Sequence, residues 1–305
     1  MLKRATGMVV VAGVLALPLL IASPASAATL PEGDTLYAIS CDQTGEGAIS
    51  DLYTVTADTA DLTYVGGTGH EQDCAGPAAY DPTTGKSYYL SWDNDSLAII
   101  DVATGASTLT AITGDGSDAP DGLAIGADGR AWIIWQDDLY SVNLATAVST
   151  LVTPLAVGCL YSFALDPTDG KFYAIQCSTG DAYQLNVDDG VLTPIGSVAL
   201  TAPTYAMQID TAGRWWVHQD TGEQADASLW STPRPSGPTV MEYEGDFIDS
   251  ANQAAPYTES LLLTYPLKLA ATGSSIDVAP MAAAGAAAAF GAALLLITAR
   301  RRRNA

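Results

Sequence analysis

The chain has 305 residues, of which 34 are acidic and only 12 are lysine or arginine, giving a formal net charge of −22. A field of this sign repels polyanions, so nucleic acids are excluded as partners. Hydrophobic residues make up 48% of the chain, a share that indicates a folded protein and not a disordered one.

The N-terminus has the three parts of a secretory signal. Lys3 and Arg4 precede an apolar run over residues 8–21, and the segment 25–27 fits the small-residue rule for cleavage. We therefore predict a signal peptide over residues 1–27 and an exported chain that begins at Ala28. The alternative is a retained signal anchor, against which the short apolar run and Pro18 both argue.

The exported part is more acidic than the whole chain. Residues 28–272 hold six basic and 33 acidic side chains, so their net charge is near −27. Such a charge keeps an exported protein soluble, and it also attracts cations or basic partners.

An internal repeat organises the exported part. Each copy reads as a short apolar strand, an Asp/Gly turn, one basic residue and an aromatic-rich strand. The four copies span residues 78–90, 123–134, 163–175 and 207–217. Their Gly-Lys or Gly-Arg pairs begin at positions 85, 129, 170 and 213, with spacings of 44, 41 and 43 residues. A period of about 40–45 residues with four short strands predicts the blades of a β-propeller.

The repeat predicts an all-β domain over residues 28–268 with five blades, and six as the alternative. Complete units are predicted at residues 76–116, 120–155, 160–198 and 204–244. A fifth unit would be split between the two ends of the domain. It would take strands from residues 36–39 and 52–65 and its missing strand from residues 254–265. Closing the ring in this way removes two exposed sheet edges.

Four cysteines in an exported chain predict two disulfides. Cys159 precedes the first strand of its unit and Cys177 ends the second, so this pair would join two strands of one blade. Cys41 follows the second strand of the split unit and Cys74 precedes the first strand of the next, so this pair would join neighbouring blades. Each bridge should stabilise the fold by about 2–4 kcal/mol.

One face of the predicted propeller concentrates acidic and aromatic residues. It is the face formed by the loops between units and the loops after each second strand, which carry Glu71, Asp73, Asp115 and a set of candidate ligand-binding residues. Those candidates are Trp92, Asp93, Asp95, Asp118, Asp121, Trp135, Asp137 and His218. The oxygen ligands suit Ca²⁺, although solvated turns in an acidic protein also explain them and are the favoured interpretation. The two tryptophans predict a stacking platform for a sugar or an aromatic ligand, or else packing within the blades.

The familiar catalytic motifs do not occur in the sequence. It has no GxSxG, HExxH or P-loop motif, and its only histidines are His70 and His218. At the level of the fold, the repeat resembles lactonase-type and NHL-like propellers of secreted bacterial proteins. Some of these are metal-dependent hydrolases with carboxylate and Asn ligands in the central channel, and we assign none of those ligands to residues of this sequence.

The C-terminus combines three features of a cell-wall sorting signal. The pentapeptide Leu269-Ala270-Ala271-Thr272-Gly273 precedes an apolar stretch over residues 278–299 and four arginines at 300–303. About 21 apolar residues span a bilayer core, and the arginines favour the cytoplasmic side. This arrangement resembles the LAxTG sorting signals recognised by class E sortases of actinobacteria. The resemblance implies cleavage between Thr272 and Gly273 and transfer of Thr272 to peptidoglycan. Residues 274–305 are therefore predicted to be a transmembrane helix with a basic tail. The alternative to a sorting signal is an ordinary tail-anchored membrane helix.

The sequence as a whole predicts a protein exported to the cell wall, held in the membrane until a sortase processes it. The favoured function is a non-enzymatic binding or adhesion module with an unidentified extracellular ligand and no required cofactor. The alternative is a divalent-cation-dependent hydrolase, lactonase-like, with its site on the acidic face.

Overall fold

A computed structural model describes residues 28–41, 49–71, 73–116, 120–220, 227–249 and 258–266. The predicted signal peptide, sorting pentapeptide and membrane helix lie outside these residues. In the described part, no helix is long and apolar enough to cross a bilayer.

The described residues form 23 β-strands in five sheets, each sheet being one blade of a closed ring. Blade 1 consists of β23 (Thr258–Thr264), β1 (Thr35–Ser40), β2 (Ile49–Val55), β3 (Asp61–Glu71) and β22 (Ile248–Asp249). Blade 2 consists of β4 (Ala75–Asp81), β5 (Lys86–Ser91), β6 (Ser96–Ile100) and β7 (Ser107–Ala111). Blade 3 consists of β9 (Gly122–Ile125), β10 (Ala131–Trp135), β11 (Asp138–Val142), β12 (Val148–Pro154) and β8 (Thr113–Gly114). Blade 4 consists of β13 (Ser162–Asp166), β14 (Lys171–Ile175), β15 (Asp181–Leu185), β16 (Leu192–Val198) and β20 (Pro238–Thr239). Blade 5 consists of β17 (Thr204–Ile209), β18 (Arg214–Gln219), β19 (Ser228–Pro233) and β21 (Glu242–Asp246).

The ring closes through the C-terminal strand, so the predicted split blade is confirmed. Strand β23 is the innermost strand of blade 1 and pairs antiparallel with β1 along its whole length. It also lies beside β4 and β17, the innermost strands of the two neighbouring blades. Five blades were predicted and five are present among the described residues. All five sheets find their partners within residues 28–266, so this segment is a self-contained folding unit.

The pattern that recurs in the four repeats follows from the geometry of the turn between the first and second strands. In blade 4, the Asp166 carboxylate accepts a hydrogen bond from the backbone N–H of Thr168 at 2.8 Å. Gly170 then takes a φ of +71°, a conformation that favours glycine, and Lys171 begins the second strand. The same aspartate turn occurs at Asp81 and Asp210.

Five hydrophobic clusters fill the gaps between neighbouring blades. The aromatic second strands supply their largest side chains, because successive residues of a strand point to opposite faces. Trp215 faces blade 4 and Trp216 faces blade 1, and both are fully buried. The aromatic strand of a repeat therefore packs against both neighbouring blades.

Both predicted disulfides are confirmed. Cys41 and Cys74 join blade 1 to blade 2, with Cα atoms 4.4 Å apart. Cys159 and Cys177 join the first two strands of blade 4, with Cα atoms 5.4 Å apart.

The sequence did not predict the three short parallel strands at the outer edges. Strands β8 and β22 follow the outermost strands of blades 2 and 5, and each pairs with the outermost strand of the next blade round the ring. Strand β20 lies between the third and fourth strands of blade 5 and pairs with the outermost strand of the preceding blade, blade 4. These additions cover sheet edges that would otherwise expose unpaired backbone groups.

Candidate functional site

The two faces of the ring differ in charge. The lower face is defined here by the turns between the first and second strands and between the third and fourth. Each of the five lysines and arginines that the structure describes lies on the lower face, at or beside these turns. They are Lys86, Arg130, Lys171, Arg214 and Arg234. The upper face, formed by the opposite set of loops, carries carboxylates without a described lysine or arginine.

The upper face holds a cavity of about 320 Å³ lined by Trp92, Asp121, Tyr161 and Tyr205. We call it the upper-face cavity. Trp92 follows the second strand of blade 2, and the other three lie at the beginnings of the inner strands of blades 3, 4 and 5. All four side chains are half-buried, so each has one part in the fold and one part open to a ligand.

Packing fixes the aromatic walls of this cavity. The Trp92 indole N–H donates to the carbonyl oxygen of Pro120 at 2.8 Å, which leaves the ring as the part that faces the cavity. The rings of Tyr161 and Tyr205 have centroids 6.2 Å apart and planes inclined by 21°. Their strands are tied together by a 2.7 Å hydrogen bond between the hydroxyls of Ser162 and Thr204.

Asp121 is the one carboxylate among the cavity's lining residues. Burial raises its pKa to about 6, and the nearby Asp137 carboxylate acts in the same direction. The backbone N–H of Gln136, 3.3 Å from Oδ2, opposes this shift. Burial also raises the pKa of Tyr161, with contributions from the charges of Asp121 and Asp137. The lining therefore carries negative charge that is partly removed from water.

Asp137 lies next to the cavity without lining it, and its carboxylate holds the neighbouring loop. Gln136 and Asp137 form a two-residue hairpin turn with φ values of 47° and 70°, as a type I′ turn requires. The Asp137 carboxylate accepts a 2.9 Å hydrogen bond from the backbone N–H of Cys159. A Cβ on the adjacent Gly158 would lie 2.8 Å from the same carboxylate, so glycine fits there.

The two predicted stacking tryptophans have different environments. Trp92 lines the upper-face cavity, but Trp135 packs against Tyr140 with ring centroids 6.2 Å apart and joins the core between blades 2 and 3. The loop after Trp135 has only two residues, so this side chain is still part of its strand. Trp92 begins a four-residue loop and reaches the next blade.

The other candidate residues do not line the cavity. Asp93 and Asp95 are exposed in the turn after Trp92, and Asp118 lies outside the described residues. His218 is fully buried and so does not belong to the ligand-facing surface that the sequence predicted. Its ring stacks on Phe247, with centroids 5.6 Å apart. Burial lowers its pKa to about 4, so it is a neutral core residue.

Small and apolar side chains fill the centre of the ring. Residues such as Ala78, Ala124 and Ala164 surround a space of only about 20 Å³. The Gln208 side-chain amide spans it, donating 2.9 Å hydrogen bonds to the carbonyl oxygens of Ala78 and Leu261. This amide links blades 1, 2 and 5 where a channel ligand would otherwise lie.

The acidic loops do not gather into a set of metal ligands. Asp73 is fully buried and accepts a 2.5 Å hydrogen bond from the Tyr89 hydroxyl, whereas Asp115 lies exposed beside the outer strand β12 and accepts from the N–H of Leu151. Across the described ranges, no three histidine, cysteine, aspartate or glutamate side chains are grouped as metal ligands. A Ca²⁺ ion at this face stays a prediction.

Comparison with known proteins supports the fold. No protein-family model matches the chain, and no curated protein matches it. The chain is similar to a chain in the crystal structure of a nidogen/laminin complex, at 10% identity and a TM-score of 0.50 over 76% of this chain and 98% of that one. It is also similar to a structural genomics protein of unknown function from Bacteroides thetaiotaomicron, at 16% identity and a TM-score of 0.44 over 65% and 61% of the two chains. A third similar structure is virginiamycin B lyase from Staphylococcus aureus, at 10% identity and a TM-score of 0.41 over 67% and 68%. The first of these similarities concerns the fold alone.

Proposed function

We propose that the chain is an exported binding module, held at the cell wall by its C-terminal sorting signal, with its ligand site at the upper-face cavity. The observation that carries the proposal is this cavity itself, with three aromatic side chains and one half-buried carboxylate. Concave sites lined by aromatic side chains with a few placed polar groups are typical of ligand binding.

The closure of the ring supports an anchor and a ligand site on opposite faces. Thr264, the last residue of β23, pairs with Thr35, the first residue of β1, at the lower face. The chain therefore leaves the propeller on the side opposite the cavity, with only a few residues before Leu269. A head anchored in this way would present the upper face outward.

A thermal-shift panel on residues 28–272 tests the binding function. The panel consists of monosaccharides, amino acids and organic ammonium salts, each at millimolar concentration. A ligand of the native state raises the melting temperature, so we expect at least one class to stabilise the wild type and to leave Tyr161→Ala unshifted. Tyr64→Ala, which removes an exposed ring on the outer strand of blade 1, is the matched control and should respond like the wild type. Equal shifts in the wild type and Tyr161→Ala, or no shift with any class, would refute a ligand site at this cavity.

The anchoring half of the proposal makes a separate prediction. A sortase thiolate would attack the carbonyl carbon of Thr272, the bond to the Gly273 nitrogen would break, and an amine of the peptidoglycan precursor would then displace the enzyme. Mass spectrometry of protein released from the wall should find Thr272 as the last encoded residue, carrying a peptidoglycan fragment. Intact chains ending at Ala305 in the membrane of sortase-positive cells would show that the sorting signal is not used.

A further inference from the structure

We propose that the upper-face cavity binds a small organic cation with a methylated ammonium group. This inference rests on the proposed function and names the ligand class of the same site. Three observations carry it: the composition of the walls, the charge of the face and the surroundings of Asp121.

The walls favour a cation with an apolar surface. The π faces of tryptophan and tyrosine attract cations, and quaternary ammonium groups are bound in this way by cages of several aromatic rings. Trp92, Tyr161 and Tyr205 provide three such rings around one cavity. A methylated ammonium group is weakly hydrated, so it can leave water for this half-buried site at a lower cost than a lysine ammonium or a metal ion.

The charge of the site selects a cation over a neutral ligand. Asp121 is partly desolvated, and the charge that acts on it is that of another carboxylate, Asp137, which raises its pKa further. Every described lysine and arginine lies on the opposite face. Moving a carboxylate out of water is unfavourable, and the hydrogen bond from the backbone N–H of Gln136 offsets this cost only in part, since the pKa of Asp121 is still raised. A cation beside Asp121 would stabilise its ionised form.

The same residues argue against the other ligand classes. Ca²⁺ takes six to eight oxygen ligands, whereas the cavity lining offers one carboxylate and two phenol oxygens. A sugar requires several hydrogen-bond partners, and the Trp92 N–H is already donated to Pro120. An anionic ligand would meet Asp121 directly and would also be repelled by the nearby charge of Asp137.

The affinity should depend on pH through Asp121. The groups that face this carboxylate are Asp137, Tyr161 and Tyr205, with the backbone N–H of Gln136. Because its pKa is raised to about 6, it is mostly ionised at pH 7 and mostly protonated at pH 5. We expect the affinity for the cation to fall by roughly tenfold between these two pH values, in proportion to the ionised fraction.

Isothermal titration calorimetry on residues 28–272 tests the inference with tetramethylammonium and choline as probes. The neutral isostere of choline, 3,3-dimethyl-1-butanol, has the same shape without the charge. Both cations should bind, and the isostere should bind at least roughly tenfold more weakly, since it lacks the cation–π and ionic contributions. Phosphocholine carries a phosphate that the acidic upper face would repel, so weaker binding of phosphocholine would indicate a free cation and not a lipid headgroup.

Variants separate the walls from the charge. Tyr161→Ala should weaken choline binding by roughly tenfold, and Tyr161→Phe should retain it because the ring remains. Asp121→Asn should weaken binding and also abolish its pH dependence. The control Asp138→Asn removes an upper-face charge outside the cavity lining and should change the affinity by no more than roughly twofold, as expected for a screened surface charge.

The results distinguish this inference from the function on which it rests. Binding of a sugar or an amino acid that Tyr161→Ala abolishes, without binding of either cation, would overturn the cation and retain the site. Equal binding of choline and its neutral isostere would likewise overturn the cation. Cation binding that Tyr161→Ala leaves unchanged would overturn both.

Discussion

A chain that ends at residue 257 is expected not to fold, whereas a chain that ends at residue 272 is expected to fold as a stable propeller. The shorter chain lacks β23, the innermost strand of blade 1. Leu261, Leu262 and Leu263 have exposures of 0, 0 and 1% and pack into two different interblade clusters. Loss of a buried leucine side chain costs about 2–5 kcal/mol, so three such losses are comparable to the whole stability of about 5–15 kcal/mol.

Circular dichroism and thermal melting of the two truncated chains check this expectation. The chain ending at 257 should show no cooperative transition, and the chain ending at 272 should show one. Leu262→Asp in the longer chain should also lower the melting temperature strongly, because it places a charge between blades 1 and 2 without removing the strand. A cooperative melt of the chain that ends at residue 257, at the temperature of the longer chain, would mean that β23 does not close the ring.

The second large effect is a loss of folding stability in acid, caused by protonation of His218. The folded pKa of about 4 lies below the ordinary value of 6.5, so the folded state binds fewer protons than the unfolded state between these pH values. The contribution of the neutral His218 to the free energy of unfolding is therefore fully present above pH 6.5 and is lost as the pH falls toward 4. For this fully buried ring the loss amounts to about 3 kcal/mol.

Chemical denaturation of the wild type and His218→Gln at several pH values isolates this contribution. Asp121 also titrates in this range, so the quantity to compare is the difference between the two proteins. The variant loses the stacking on Phe247 at every pH, but it should lose less stability than the wild type between pH 6.5 and pH 4. Parallel pH profiles for the two proteins would show that His218 is accessible to protons in the folded state.

The sequence was sufficient to predict the ring because the repeat encodes local geometry. The Asp turn, the glycine with positive φ and the basic residue recur in blades 2 to 5 because each of these four blades makes a similar first turn. Cysteine positions at matched strand ends were enough to predict both disulfides. The parallel edge strands could not be predicted, because two-residue pairings such as β8 with β12 depend on the twist between blades and leave no periodic signal.

The cavity was predicted only in part. Trp92 and Asp121 were among the candidates because their loops align with the repeat. Tyr161 and Tyr205 were missed, since each is a single tyrosine beside an inner strand and the two are 44 residues apart in sequence. Their shared position, at the beginning of the inner strands of adjacent blades, was a signal that the alignment contained. The different environments of Trp92 and Trp135 depend on loop length, which the alignment treated as equivalent.

Asp121 illustrates why stability alone does not explain the site. Its raised pKa means that the ionised form is unfavourable in the folded protein, so Asp121 opposes folding at neutral pH. An asparagine would fill the same space without this cost. A carboxylate that lowers stability is typical of a functional position.

Hydrogen–deuterium exchange of residues 28–272 with and without tetramethylammonium tests the central claim most directly, because it locates the bound ligand on the ring. If the upper-face cavity is the binding site, exchange should slow in the peptides that contain Trp92, Asp121, Tyr161 and Tyr205. Exchange should stay unchanged in the lower-face turns that contain the Gly-Lys and Gly-Arg pairs. Protection confined to those lower-face turns, or no protection at a saturating concentration, would contradict the account.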